Sequence, residues 1–296
     1  MISDELRSLI EHVPSNFADA AATYQDVRTM FAPFHGHPVQ DDCEIDIGEL
    51  RGVRAGRYST GPAKDATRTA FFCHGGAFVS CPLDVYHFYA ENISRLTASK
   101  VVAPDYRLAP EHPYPAAPDD CYNAYRGLLD SGTDPRSIFF VGESCGGSLA
   151  LGVLLRARDE GLPLPACFVS LTGWFDLGVE DADDEGRDPF LTPAWVRNRA
   201  HDYLQGRLDP RAPQVSPAYA DVKGLPPLYL QVGQYDTMRE GALRLAANAA
   251  RAGVEVTLEA WPGMFQGWQG LINAGPPEAK RAWVRIREYI EKTVTG

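Results

Sequence analysis

The sequence predicts an α/β domain built on a mostly parallel central sheet with helices on both faces, and three observations predict it. After Arg68 the apolar runs TAFFC, VVAPDY, SIFFVG, ACFVSL and PLYLQVG are each followed by a segment of helical length. That alternation is expected of parallel strands joined by crossover helices. Before them, CEIDIGEL and VRAGRYST alternate short apolar positions, the pattern of an antiparallel hairpin at a sheet edge. One strand-to-helix junction, SIFFVGESCGGSLALGVLL, carries a serine between glycines. Ligands of such sheets bind in the loops at the carboxyl ends of the strands, so the chemistry is expected there.

The flanking segments complete the outline. Phe17, Tyr24, Val27 and Phe31 recur at helical spacing, so the first forty-odd residues read as two helices. From about Trp174 to Pro217 the rhythm breaks: DLGVEDADDEGRDPF is acidic and turn-rich, and LTPAWVRNRAHDYLQ is helical. The chain therefore reads as a single domain, 1–296, with a cap over the strand ends formed by about 1–42 and about 174–217. There is no internal repeat and no low-complexity run.

Composition narrows the partners. Hydrophobic residues at 45% and charged residues at 23% suit a globular chain with a real core. A net charge of −11 repels phosphate backbones and anionic lipid, and no apolar stretch is long enough to span a bilayer. Neither nucleic acid nor membrane is expected as a partner. The six cysteines, at 43, 73, 81, 121, 145 and 167, form no CxxC pair, which favours reduced thiols and a cytoplasmic chain. The start, MISDELRSLIEHVPSNF, lacks the basic and apolar regions of a secretory signal. No cofactor and no metal are expected, since His35 and His37, two apart without an acid cluster, are a weak signal. A homodimer is left open.

Gly142-Glu143-Ser144-Cys145-Gly146 is a G-x-S-x-G between a strand and a helix. Its glycines suit a turn too tight for side chains, which pushes the Ser144 hydroxyl out over the helix amino terminus, where negative charge is favoured. Upstream, His74-Gly75-Gly76 follows a strand directly. The amides of Gly75, Gly76 and Cys145 would together polarise a carbonyl as an oxyanion hole; a plain glycine turn is the alternative. Downstream, PLYLQVGQYDTMREGA places Asp236 at the end of a core strand, as the acid that orients a base or as a simple helix N-cap.

HGGAF, then DYRLAPEHPYPA at 105–116, then GESCGGSLA stand in the order and spacing of the hormone-sensitive-lipase family of carboxylesterases, which the chain resembles from about residue 68 to its end. The resemblance implies an α/β-hydrolase fold, a serine nucleophile and hydrolysis of a small acyl ester or lactone. It implies bracing roles for Asp105, Arg107, Glu111 and His112, the triad acid at Asp236, and a pocket lined by Phe78, Glu143, Gly173, Trp174 and the cap residue His201. Cys145 stands where the family usually has alanine, and Gly173 where it often has proline.

One departure is chemical. The family places a histidine after the last core strand, and the matching text VEVTLEAWPGMFQGWQG carries Gln266 there; all seven histidines, at 12, 35, 37, 74, 87, 112 and 201, precede Asp236. A neutral amide cannot hold a serine proton near neutral pH, so hydrolysis is expected to be weak. Three functions follow: a feeble esterase or lactonase, a non-hydrolytic carbonyl enzyme such as a cyclase or lyase, and a ligand-binding pseudoenzyme of the kind that histidine-lacking plant gibberellin receptors represent in this family.

Overall fold

The computed structural model describes residues 2–13, 19–35, 38–182 and 187–294. Phe17 and His37 lie outside the described residues, as does the side chain of His35. In chain order the elements are α1 (Asp4–Glu11), α2 (Tyr24–His35), β1 (Glu44–Leu50), β2 (Val53–Ser59), β3 (Thr69–Cys73), α3 (Leu83–Thr97), β4 (Lys100–Pro104) and α4 (Ala116–Asp130). They continue with β5 (Ile138–Glu143), α5 (Cys145–Asp159), β6 (Cys167–Leu171), α6 (Pro193–Leu204), β7 (Leu228–Gly233), α7 (Arg239–Arg251), β8 (Val256–Trp261) and α8 (Pro277–Thr293). The strands form one sheet in the order β1-β2-β4-β3-β5-β6-β7-β8. The expected hairpin is there: β1 pairs antiparallel with β2, β2 antiparallel with β4, and every later pair is parallel.

Alternation along each strand sorts the apolar side chains onto two faces. Phe71, Phe140, Phe168 and Leu230 belong to a core shared with α4, α5 and α7, whereas Phe72, Phe139, Val169 and Tyr229 belong to a second core with α3 and α8. A strand buried on both sides has no polar positions to show, which is why TAFFC, IFFVGE and CFVSL are buried along their whole length. A third, smaller cluster packs Leu6 of α1 against Met264, Phe265 and Trp268, in the loop after β8. The Ser3 hydroxyl and amide both bond to Glu278 of α8, at 2.8 and 2.7 Å, fixing α1 there.

The segment expected to form the second part of a cap divides in two. Trp174, Phe175 and Leu177 are fully buried in the main core, so the chain leaves the sheet only after them. α6, capped by the Thr192 hydroxyl on the Trp195 amide, then lies over the strand ends with its buried Trp195 and Val196 turned inward. All six cysteines are free thiols; five are buried, and Cys43 is partly exposed. Among the described residues no helix is long and apolar enough to cross a membrane.

The junction between β5 and α5 depends on two bare α-carbons. A Cβ on Gly142 would lie 2.7 Å from the Gly147 Cα, and one on Gly146 would lie 1.9 Å from the Cys73 carbonyl oxygen of β3. Gly146→Ala is therefore expected to cost about 3 kcal/mol or more by forcing α5 off the sheet. Gly152, in the same helix with nothing within 4 Å of its position, provides the control: Gly152→Ala should stabilise by about 0.5–1 kcal/mol. Urea denaturation of the two variants measures both.

Candidate active site

Ser144 sits where β5 ends and α5 begins, at φ 52° and ψ −124°, a conformation that non-glycine residues adopt only when their surroundings impose it. The surroundings here are specific. The Ser144 amide donates to the Leu171 carbonyl at 3.1 Å, and its carbonyl accepts from the amides of Gly147 and Trp174 at 2.9 and 2.8 Å. With the backbone pinned at both ends, the hydroxyl projects into a cavity of about 320 Å³ that Gly76, Ala77, Glu143, Trp174 and Gln266 also line.

The loop after β3 is the second wall. Gly76, Ala77 and Phe78 follow one another at φ 102°, 53° and 65°, a left-handed run that bends the loop tightly around the cavity's edge, where Gly76 and Ala77 line it. Tyr106 holds it from below, stacking on His74 at 4.1 Å and donating from its hydroxyl to the His74 carbonyl at 2.8 Å. Cys145 holds it from the side, its sulfur accepting the Phe78 amide at 3.2 Å; burial pushes that thiol up to about 12, so it remains protonated. Among the described residues no hydrogen bond takes up the amide hydrogens of Gly76 and Cys145. The motif at 105–116 supports the loop at one remove: Asp105 pairs with Arg54 at 2.6 Å and caps Leu83 at 2.9 Å, Arg107 pairs with Asp120, and Glu111 pairs with Arg28, whose Nε donates to the Val79 carbonyl at 2.7 Å.

Four expected site residues lie elsewhere. Gly75 is outside the cavity lining: it backs onto Glu143, whose Oε2 would stand 1.8 Å from a Cβ there. Ala77 lines the cavity where Gly75 was expected. Phe78 turns away because of its left-handed backbone and stacks on Tyr203 at 3.9 Å in the core. Gly173 lies beneath the cavity, its amide on the Ser170 hydroxyl at 3.0 Å and its bare Cα against the Phe175 ring. His201 is on the solvent face of α6. None of His12, His74, His87, His112 and His201 hydrogen-bonds to Ser144: His74 is fully buried and pushed down to about 4 by that burial, and His87 bonds to the Tyr58 hydroxyl at 2.6 Å.

Gln266 lines the cavity with Ser144, and its side-chain oxygen is buried without a hydrogen-bond donor. Asp236 is not among the cavity's lining residues; it is only 5% exposed and accepts the Met238 amide at 2.8 Å. The residue that connects these loops, Asp188, is one that no local sequence signal singles out. The buried Asp188 carboxylate takes the amides of Phe190 and Leu191 at 3.0 and 3.3 Å, of Thr237 at 3.0 Å and of Gln266 at 3.3 Å. It thereby ties the segment before α6 to the loops after β7 and β8. Burial raises Asp188 to about 6 in spite of those four donors. Burial, and then the charge of Asp188, push Asp236 well above the ordinary carboxylate range.

An α/β-hydrolase-fold family profile matches residues 70–270. The chain is 37% identical over 238 residues to an acetyl-hydrolase of Streptomyces hygroscopicus, covering 79% of each chain. It is 33% identical to an esterase of Acinetobacter venetianus over 85% of this chain and 83% of that one. Among solved structures it is similar to an esterase of the bacterial hormone-sensitive-lipase family, with TM-score 0.91 at 34% identity over the whole of both chains. An esterase/lipase from an uncultured bacterium matches with TM-score 0.90 at 31% identity, over 99% of this chain and 100% of that one. The chain belongs to the α/β-hydrolase-fold family. Within it, it is an enzyme of the hormone-sensitive-lipase-like, carboxylic-ester-hydrolase type.

The two raised carboxyls have a measurable consequence. In the folded chain both hold protons to higher pH than in the unfolded one, so folding takes up protons and stability falls as pH rises from 3.8 through about 6. Asp236→Asn removes one buried charge while leaving an acceptor for Met238. It is expected to raise Tm at about pH 8 by about 2–4 °C and to change it little at about pH 4. Thermal unfolding across that range measures the difference.

Proposed function

We propose that the chain acts at the carbonyl of a small acyl ester or lactone, with Ser144 as nucleophile, the amides of Gly76 and Cys145 as oxyanion donors, and Gln266 in the place of the general base. The observation that carries this reading is that Ser144, Gly76 and Gln266 line one cavity. A serine hydroxyl needs a proton acceptor, which an amide is not. The oxyanion donors and binding alone still give roughly 10³–10⁴-fold over water. Hydrolysis is therefore slow but real. Apolar cavity residues from α1, α2 and α6, among them Leu9, Phe31 and Val196, support a cap role for the segments at about 1–42 and 174–217.

The same cavity supports a second reading, rearrangement or binding of a carbonyl compound without acyl transfer, and the unpartnered Gln266 oxygen favours it. The readings separate on Ser144→Ala: turnover that survives the change, with no covalent adduct on the unaltered chain, belongs to the second. The free thiols support a reducing, cytoplasmic setting. The edge strand β8, with Val284 of α8 55% exposed, supports a homodimer, which sedimentation would reveal.

Gln266→His restores an imidazole between Asp236 and Ser144 and is expected to raise the hydrolysis of p-nitrophenyl butyrate by about 10³-fold. A fluorophosphonate probe should label Ser144 quickly in that variant and slowly in the unaltered chain. A gain below about tenfold would sink the hydrolytic reading.

A further inference from the structure

The cavity has a composition that an uncharged ester does not require. Its walls carry the rings of Tyr86, Phe88 and Tyr89 from α3 and of Trp174, Phe190 and Trp195. The three α3 rings form one cluster, with centroids 5.2–5.7 Å apart. One described lining residue carries a carboxyl group, Glu143, and none is a lysine, arginine or histidine. Glu143 is 7% exposed, its carboxylate lies just behind the wall against Gly75, and the group that donates to it is neutral: the Tyr86 hydroxyl, at 2.7 Å from Oε2.

Among the described residues, the other ionisable groups that face Glu143 are neutral as well. Tyr86, Tyr89, Cys81 and Cys145 are all held protonated by burial. His74, whose ring is 5.5 Å from Tyr86, is pushed down to about 4 and uncharged. A desolvated carboxylate without a counter-charge is costly, and burial raises Glu143 to about 7. Aromatic faces attract cations through their quadrupole, most strongly where water is excluded. The rings and the carboxylate thus favour the same kind of guest.

We propose that the cavity selects an ester bearing an ammonium group, quaternary or protonated, whose positive head lies against the α3 rings and compensates Glu143. This rests on the cavity being the substrate site, as argued above, and names the substrate class for it. Binding and ionisation are then linked. A cationic guest releases the Glu143 proton, so its affinity rises with pH through about 7 and levels off above, while an uncharged guest of the same shape shows no such rise.

The test compares acetylcholine with its carbon isostere, the dimethylbutyl ester of acetic acid, in the Ser144→Ala chain, which holds either ester without acyl transfer; calorimetry reads the affinities. At about pH 8.5 the charged ester should bind about tenfold more tightly than the isostere, falling to about threefold at about pH 5.5. Adding Glu143→Gln should hold the preference near the lower figure at both pH values. Equal affinities throughout, or a preference that does not change with pH in the Glu143 chain, overturn the proposal while leaving the cavity as the site. If neither ester binds, the cavity is not the substrate site and both readings fall.

Discussion

Everything in this site depends on how closely α5 approaches the sheet. Gly146 leaves out the side chain that would separate α5 from β3, Gly142 the one that would separate it from β5, and the turn between becomes so short that Ser144 has no right-handed conformation available. The serine hydroxyl is thus placed by backbone contact and by three backbone hydrogen bonds, not by any partner of its own side chain. That is why Ser144 keeps its position although Gln266, which lines the same cavity, offers only an amide. Under the proposed function position and activation are separate properties, the first built into the sheet and the second dependent on residue 266.

The second constraint is Asp188. One carboxylate satisfying four amides from three loops makes the cavity wall a unit, so the segment before α6 cannot shift without pulling on the backbone of Gln266. A buried acid beside a second buried acid is electrostatically poor. The four charge-assisted hydrogen bonds offset part of that desolvation penalty. Under the proposed function residue 266 bears on stability as well as on catalysis, because a protonated imidazole at that position would give the buried Asp236 an opposite charge.

What could be read from the sequence was what local rules decide. The strands were legible because burial on both faces leaves unbroken apolar runs, and the elbow because glycine has few other reasons to flank a serine between a strand and a helix. Positions set by three-dimensional packing were not. Phe78 and Gly173 neighbour true cavity residues in sequence but are turned out of the cavity by a left-handed backbone and by the Phe175 ring. His201 belongs to the expected helix, yet periodicity does not say which face meets solvent. Gly75 and Gly76 are alike in sequence, yet the first backs onto Glu143 and the second, with its left-handed backbone, lines the cavity. Asp188 lay in a stretch of acids where nothing local distinguishes the one that the loops enclose.

The cysteines carry a practical consequence. Five of the six thiols are sealed in the interior, and only Cys43, entering the edge strand β1, is partly open to solvent. Modification of the folded chain by a maleimide dye would therefore concentrate at that one position, on the opposite side of the sheet order from β8. Nature has left the molecule with a ready-made attachment point, remote in the sheet from the strands that carry Asp236 and Gln266, through which it can be tethered or made luminous without disturbing its pocket.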